Sequence, residues 1–266
     1  MTDVDTLSRE GILRYLRHRE LTVRVCETVG STNTVLKELA AKGTPAGLAL
    51  VAGEQTAGRG RLGRSFYSPA GSGLYLSLLL RPAIPAAGAV RLTACAAVAA
   101  AETVEELSGR SAGIKWVNDI VMDGRKICGI LTETGLESDN TTVRWIVVGL
   151  GVNVRVPEGG FPEELRGVAG AAFGETEIPE LRCRLAAGIL DKLWEYAGDP
   201  ASSAIVEAYR RRSILPGKEI LIHTPGEEPE NARAVGINDD CSLLVRLPDG
   251  SMRTLRSGEV SVRTVD

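Results

Sequence analysis

Apolar positions along this chain fall into helical and strand-like textures. Within residues 30–43, GSTNTVLKELAAKG, the residues Val35, Leu36, Leu39 and Ala40 recur on one helical face. Ser and Thr stand where such a helix starts, and Gly43 where it stops. The runs LALVAGEQ (48–55) and GLYLSLLLRP (73–82) are apolar nearly throughout, as buried inner strands are. Residues 92–109 are alanine-rich and end in Gly109, which predicts a helix packed closely against a sheet. Segment 113–135 holds two β-rich runs joined at Asp123-Gly124, a strong hairpin signal. RWIVVGLGVNVRV (144–156) predicts another inner strand. Leu181, Leu185, Ile189 and Leu193 repeat every fourth residue of a helix over 179–197, and SSAIVEAYRRRS (202–213) continues as a second one. SREGILRYLRH (8–18) has room for one short helix.

After Pro216-Gly217 the texture becomes short β segments separated by turn residues, from KEILIHT to EVSVRT. A boundary near 214 is expected, with a small β-barrel beyond it. The 266 residues suit one large domain with such an appendage.

Charge changes the picture locally. The net charge of −3 gives no general surface for nucleic acid. From Gln55 to Ala101, however, there is no acidic residue and there are five arginines, at 59, 61, 64, 81 and 91. That segment carries +5 against −8 for the remainder, which suggests a small anionic ligand. Cys26, Cys95, Cys128, Cys183 and Cys241 lie far apart without metal-ligand spacing, and are read as reduced thiols. His18 and His223 are the only histidines, too few for a zinc site or a histidine-based triad. The acidic, polar MTDVDTLSRE start is unlike a signal peptide and no apolar run is expected to reach membrane-spanning length, so the cytoplasm is expected.

The densest signal is EQTAGRGRLGRSF (54–66), where Arg59, Arg61 and Arg64 are interleaved with Gly58, Gly60 and Gly63. Glycine lets backbone N–H groups approach an anion, and arginine adds planar, permanently charged donors. A phosphate-binding loop is one reading; an exposed loop touching nucleic acid is the other. It is neither G-x-x-x-x-G-K-[ST] nor a good G-x-G-x-x-G turn, since arginines fill its middle and a β segment follows. Unliganded arginines repel one another, so the loop is expected to order when ligand arrives.

STN at 31–33, EQTAGRGRLGRSF, KWVND at 115–119, RKICGILTE at 125–133 and GLGVNV at 149–154 stand in an order and spacing that resemble the biotin protein ligases. The likeness covers roughly residues 22–266. It implies an α+β fold: a mixed central β-sheet with flanking helices, like class II aminoacyl-tRNA synthetases, plus a small C-terminal Src-homology-3-like β-barrel. The chain divides accordingly into a short extension (1–21), a catalytic domain (22–213) and the barrel (214–266).

The implied reaction has two steps. Biotin and MgATP give biotinyl-5′-AMP and pyrophosphate, and biotin then passes to a lysine of a biotin carboxyl carrier protein domain. A carboxylate nucleophile needs no general base, but it needs cations to offset repulsion from the phosphates. By the resemblance, Ser31, Thr32, Asn33, Gln55 and Gly129 contact biotin. Gly58, Arg59, Gly60 and Arg61 fold over biotin and phosphate, and Lys126 bridges the biotin carboxylate and α-phosphate. Arg64, Phe66, Asn118 and Asn153 line the ATP side. Lys126 and Arg61 are the catalytic pair, and magnesium rides mainly on the phosphates, so no residue is assigned to metal. Asp119 is a candidate base for the transfer step.

Two positions depart from the family's usual pattern: Phe66 stands where tryptophan is frequent, and Val117 where proline is. Lipoate ligases share the catalytic fold, but their arginine-rich and histidine-containing motifs are missing. About twenty residues precede the catalytic region, too few for the winged helix-turn-helix of some members, so no DNA binding is expected. A homodimer is possible. The rival of another class is a non-catalytic biotin or nucleotide sensor.

Overall fold

The leucine run at 73–80 becomes β3 (Gly73–Leu80), a strand buried along its whole length. It lies inside a seven-stranded sheet in the computed structural model, which describes residues 5–174, 177–224, 226–256 and 261–264. The other strands are β1 (Thr22–Val29), β2 (Leu48–Gln55), β4 (Gly113–Lys115), β5 (Asp119–Met122), β6 (Arg125–Leu136) and β7 (Val143–Asn153). Their order is β1-β2-β3-β7-β6-β5-β4; β1 and β2 are parallel and the remaining pairs antiparallel.

Asp123 and Gly124 both have positive φ, 50° and 74°, the geometry a two-residue hairpin turn requires, and they join β5 to β6 as the sequence predicts. The run before them is two strands rather than one. Trp116, Val117 and Asn118 turn the chain between β4 and β5, with a cis peptide at Trp116-Val117. The apolar pattern also leaves β1 unannounced, because TVRVCETV mixes polar and apolar residues along a half-exposed edge strand.

One face of the sheet carries α3 (Ala89–Ser108) and α4 (Leu181–Gly198), with α5 (Ser203–Arg212) against α3. Alanines 94, 96, 97, 99, 100 and 101 of α3 are fully buried, so small side chains let it lie close to its neighbours. Gly109 ends it at φ 68°, its N–H bonding Glu105 O. Segment 86–108 does reach membrane-crossing length, with mean hydropathy 1.3 over its most apolar 18 residues, which corrects the expectation that no run would. Packing rather than lipid satisfies it, since 67% of its most apolar stretch is buried inside the fold.

On the opposite face, α2 (Thr32–Ala41) sets Leu36 and Ala40 against Leu48, Leu50, Leu79 and Val147. Near the start of the chain, α1 (Arg9–Tyr15) begins at Ser8, whose hydroxyl accepts from Gly11 N–H. Ile12 and Leu16 then sink into the main core. The buried Asp191 of α4 accepts the N–H groups of Arg17 at 3.0 Å and His18 at 2.9 Å, so the chain after α1 is bound to the body of the fold.

A second sheet holds β8 (Glu219–His223), β9 (Glu230–Ile237), β10 (Leu243–Arg246), β11 (Met252–Leu255) and β12 (Ser261–Thr264). It is antiparallel in the order β11-β10-β9-β8-β12. Ile220, Ile222, Leu243 and Val245 belong to the same contiguous core as the large sheet. A polar tie reinforces that seam, Trp116 Nε1 donating to Cys241 O at 3.0 Å, while Tyr209 Oη of α5 holds the neighbouring Val117 O at 3.2 Å.

Candidate active site

In β7, side chains alternate across the sheet. Leu150 and Val152 are buried in the main core, while Gly149, Gly151 and Asn153 share the other face, beside α2. Gly151 pairs with Gly129 of β6, and Gly149 with Ser77 of β3. Missing side chains here open a cavity of about 650 Å³, a size suited to a nucleotide-like ligand. The room is already partly used. A Cβ on Gly149 would come within 1.9 Å of Asn33 Oδ1, and one on Gly151 within 2.5 Å of the Phe66 ring.

The arginine loop forms a roof. Its own backbone closes it as a hairpin, with Gly60 N–H to Arg64 O at 2.7 Å and Phe66 N–H to Gly58 O at 2.9 Å. Leu62 and Gly63 turn its tip with φ of 55° and 73°. Arg61 Nη1 donates to Asn118 Oδ1 at 3.0 Å, and Asn118 Nδ2 donates to Ile130 O at 3.0 Å. Burial pushes the Arg61 pKa down, against the opposing pull of Asp119. Arg59 reaches Glu133 at 3.1 Å, which offsets the repulsion expected within the loop.

Lys126 emerges where β6 begins. Its Nζ lies 2.6 Å from Asp119 Oδ1 and 5.9 Å from the centre of the Phe66 ring, within cation–π range. Backbone bonds clasp the same residue to the segment beyond β7: Lys126 N–H to Val168 O at 2.8 Å and Gly170 N–H to Lys126 O at 2.9 Å. Asn153 Nδ2 donates to Gly170 O at 3.1 Å and so steadies that clasp.

Neutral groups gather where α2 begins. Ser31 occupies the N-cap position but makes no capping bond. Its hydroxyl has no partner among the described residues, although Ser31 is 4% exposed and lines the cavity. Gln55 Oε1 accepts Thr32 N–H at 2.9 Å, and Gln55 Nε2 donates to Ser68 Oγ at 3.2 Å. Asn33 donates both amide hydrogens to the protein, to Leu131 O at 3.1 Å and Glu133 Oε2 at 3.0 Å, and accepts from Ser77 Oγ at 2.6 Å. Its amide is therefore a pin between α2 and the sheet.

The cavity wall brings together all but one of the residues expected from sequence: Ser31, Thr32, Asn33, Gln55, Arg59, Gly60, Arg61, Arg64, Phe66, Asn118, Lys126, Gly129 and Asn153. Gly58 is the exception. It lies off the wall, crowded so that a Cβ would meet Phe66 O at 2.3 Å, and it closes the hairpin instead. Unforeseen contributors are Ser77 and Lys37, which reach the site through hydrogen bonds, and Phe161, Leu165, Val168 and Ala169, which wall it. Nothing local marks them, since they arrive by tertiary contact. Glu133, the last residue of RKICGILTE, could have been found from that motif. Trp116 is both core and wall, at 4% exposure. Among the described residues no group of three or more His, Cys, Asp or Glu side chains is placed to hold a metal ion.

A cationic loop and a hairpin lysine over a glycine-floored sheet define the biotin/lipoate ligase class. Residues 25–153 match the Biotin/lipoate A/B protein ligase family, and residues 217–263 the Biotin protein ligase C terminal domain. The bifunctional ligase/repressor BirA of Bacillus subtilis is 43% identical over 54% of this chain, and the match spans 43% of that relative's length. The biotin acetyl-CoA-carboxylase ligase of Paracoccus denitrificans is 32% identical over 83% of this chain and 92% of the relative. The structure of biotin protein ligase from Aquifex aeolicus in complex with biotin and ATP aligns with a TM-score of 0.72 at 26% identity, covering 92% of this chain and 99% of that one. This chain belongs to the biotin protein ligase family.

Proposed function

We propose that the chain activates biotin with ATP and transfers the biotinyl group to a lysine of a biotin carboxyl carrier protein domain. The observation that carries this reading is the joint placement on one cavity wall of Lys126, Arg61 and the Ser31 hydroxyl, which makes no capping bond to α2. Ser31, with Thr32 and Gln55, offers polar groups to the ureido ring, while Asn33 holds α2 in place behind them. Lys126 and Arg61 face the reacting end.

In the first step a biotin carboxylate oxygen attacks the α-phosphorus, the bond to the bridging oxygen breaks, and pyrophosphate leaves. Lys126 and Arg61 offset the charge that grows on the phosphorus oxygens. Removing one such contact typically slows a reaction about 10²–10³-fold. Phe66, Asn118, Arg64 and Asn153 line the nucleotide side. Magnesium would enter on the triphosphate and draw charge from its oxygens. An ion held mainly by phosphates needs few protein ligands, and Asp119, which lines the cavity, is engaged by Lys126.

The second step needs a neutral amine. A free lysine of pKa about 10.4 is only about one part in 2,500 neutral at pH 7, a handicap of roughly 4.6 kcal/mol. Asp119 takes the proton as the amine nitrogen attacks the acyl carbon and AMP leaves. Lys126, drawn to the phosphate, releases that carboxylate for the task. The working compartment is the cytoplasm, a reading supported by five free cysteines. The net charge of −3 gives no support to a DNA partner. A homodimer would pair through β1, since β4 already bridges Ser213 through Ile114.

Pyrophosphate release and labelling of a carrier domain, with biotin and ATP supplied, test the reading. The parent chain should do both, and Lys126→Ala and Arg61→Ala should lose at least about tenfold in pyrophosphate release. A parent that binds biotin yet releases no pyrophosphate would be a sensor.

A further inference from the structure

Apart from the groups that face substrate, one carboxylate ties together three parts of the site. Glu133 sits on the cavity side of β6 with its side chain 16% exposed. Its Oε1 receives Lys37 Nζ from α2 at 2.6 Å and Arg59 Nη1 from the arginine loop at 3.1 Å. Its Oε2 accepts from Asn33 Nδ2 at 3.0 Å. Strand, helix and loop thus converge on a single carboxyl group. Among the described residues, no other acidic side chain lies within ion-pair distance of Arg59 or Lys37. A carboxylate buried this far is tolerated when it is neutralised and hydrogen-bonded, and both conditions hold here.

We propose that Glu133 is a positioning residue that holds the arginine loop closed through Arg59, and so sets how long the activated intermediate stays in the cavity. The inference rests on the ligase reading above. Glu133 touches no reacting atom in that scheme. It fixes Asn33 behind the hydroxyls at the start of α2, and it fixes Arg59 at the base of the loop that carries Arg61. Without the carboxylate, Lys37 and Arg59 face each other as like charges, and the loop is pushed outward. Lys126 and Arg61 remain, so retention of the adenylate suffers more than its formation.

The test follows escape of biotinyl-5′-AMP from the full chain after one turnover without acceptor, beside the initial rate of pyrophosphate release. Glu133→Gln and Arg59→Gln are each expected to lose the adenylate about five- to tenfold faster than the parent, and in Glu133→Gln the initial rate falls less than about threefold. If Glu133 acts through Arg59, the double variant loses it no faster than the single ones. Glu133→Asp, which keeps the charge on a shorter arm, recovers part of the retention. Trypsin cuts the loop faster in Glu133→Gln than in the parent. Equal escape from the parent and both single variants overturns the latch, as does a double variant whose effect is the product of the two. Should Glu133→Gln fail to fold, Arg59→Gln carries the comparison alone, its side chain being 44% exposed. A parent that makes no adenylate sinks the ligase reading and the latch with it, and is recognised by the absence of pyrophosphate.

Discussion

Lys126 Nζ and Asp119 Oδ1 face each other at 2.6 Å as an ion pair across the β5–β6 hairpin. Each group is thereby neutralised until an anion competes for the lysine. Asp119→Asn should slow transfer from preformed adenylate by about 10²-fold or more, the usual scale for losing a general base. Adenylate formation should change less. Single-turnover transfer to a carrier domain, measured across pH, checks this; an unaltered rate would remove Asp119 from the proton path.

Gly149 and Gly151 look equivalent in sequence, yet their neighbours differ in freedom. Asn33 is pinned by hydrogen bonds to Ser77, Leu131 and Glu133, so it cannot yield to a methyl group 1.9 Å away. Gly149→Ala is expected to cost about 1–3 kcal/mol of stability, the usual range for overpacking, and to weaken biotin binding. At Gly151 the obstacle is the Phe66 ring, on a side chain that can turn aside. Gly151→Ala should keep stability within about 1 kcal/mol and act mainly on the KM for ATP. Urea unfolding and calorimetric titration would separate the two.

Trp116 joins the small sheet to the wall of the site through its bond to Cys241 O. Trp116→Phe keeps an aromatic ring but leaves that carbonyl without its donor. The expected cost is about 1–3 kcal/mol, with faster hydrogen exchange where β9 turns into β10. Unchanged exchange there would mean the two sheets are held by apolar packing alone.

Acid should act on Glu133. Burial by itself raises its pKa, but hydrogen bonds from Lys37 and Asn33 and the charges of Lys37 and Arg59 outweigh that, leaving it below the ordinary 4.5. A depressed carboxylate stabilises the fold above its unfolded pKa, and that contribution fades as pH falls through the folded value. Stability of the parent should therefore drop on acidification below about pH 4.5. The part of that slope due to Glu133 should vanish in Glu133→Gln. Parallel curves for the two proteins would place the acid sensitivity elsewhere.

Much of the scaffold was written locally. The DG turn, the Gly109 stop, the alanine helix and the inner strands follow from short-range sterics and from the burial of neighbouring residues, which a pattern of a few positions records. The edge strand β1 and the split at Trp116 were not legible, because both depend on what the chain pairs with far along its length. The same division runs through the site. Arg59 and Arg61 declared themselves by residue type and spacing, whereas Lys126 was marked only by the resemblance to a family, and Gly58 lies off the cavity wall.

By itself, the amino-acid order determined which residue types were on hand for anion chemistry and most of the elements that carry them. Tertiary structure alone decided that Glu133 would gather Arg59, Lys37 and Asn33, that Asp119 would meet Lys126, and that Gly149 would make room for Asn33. The reason is physical. Secondary structure answers to torsional preference and apolar spacing over a few residues, while a charge pair or a fitted gap exists only once distant segments are brought within a few ångströms.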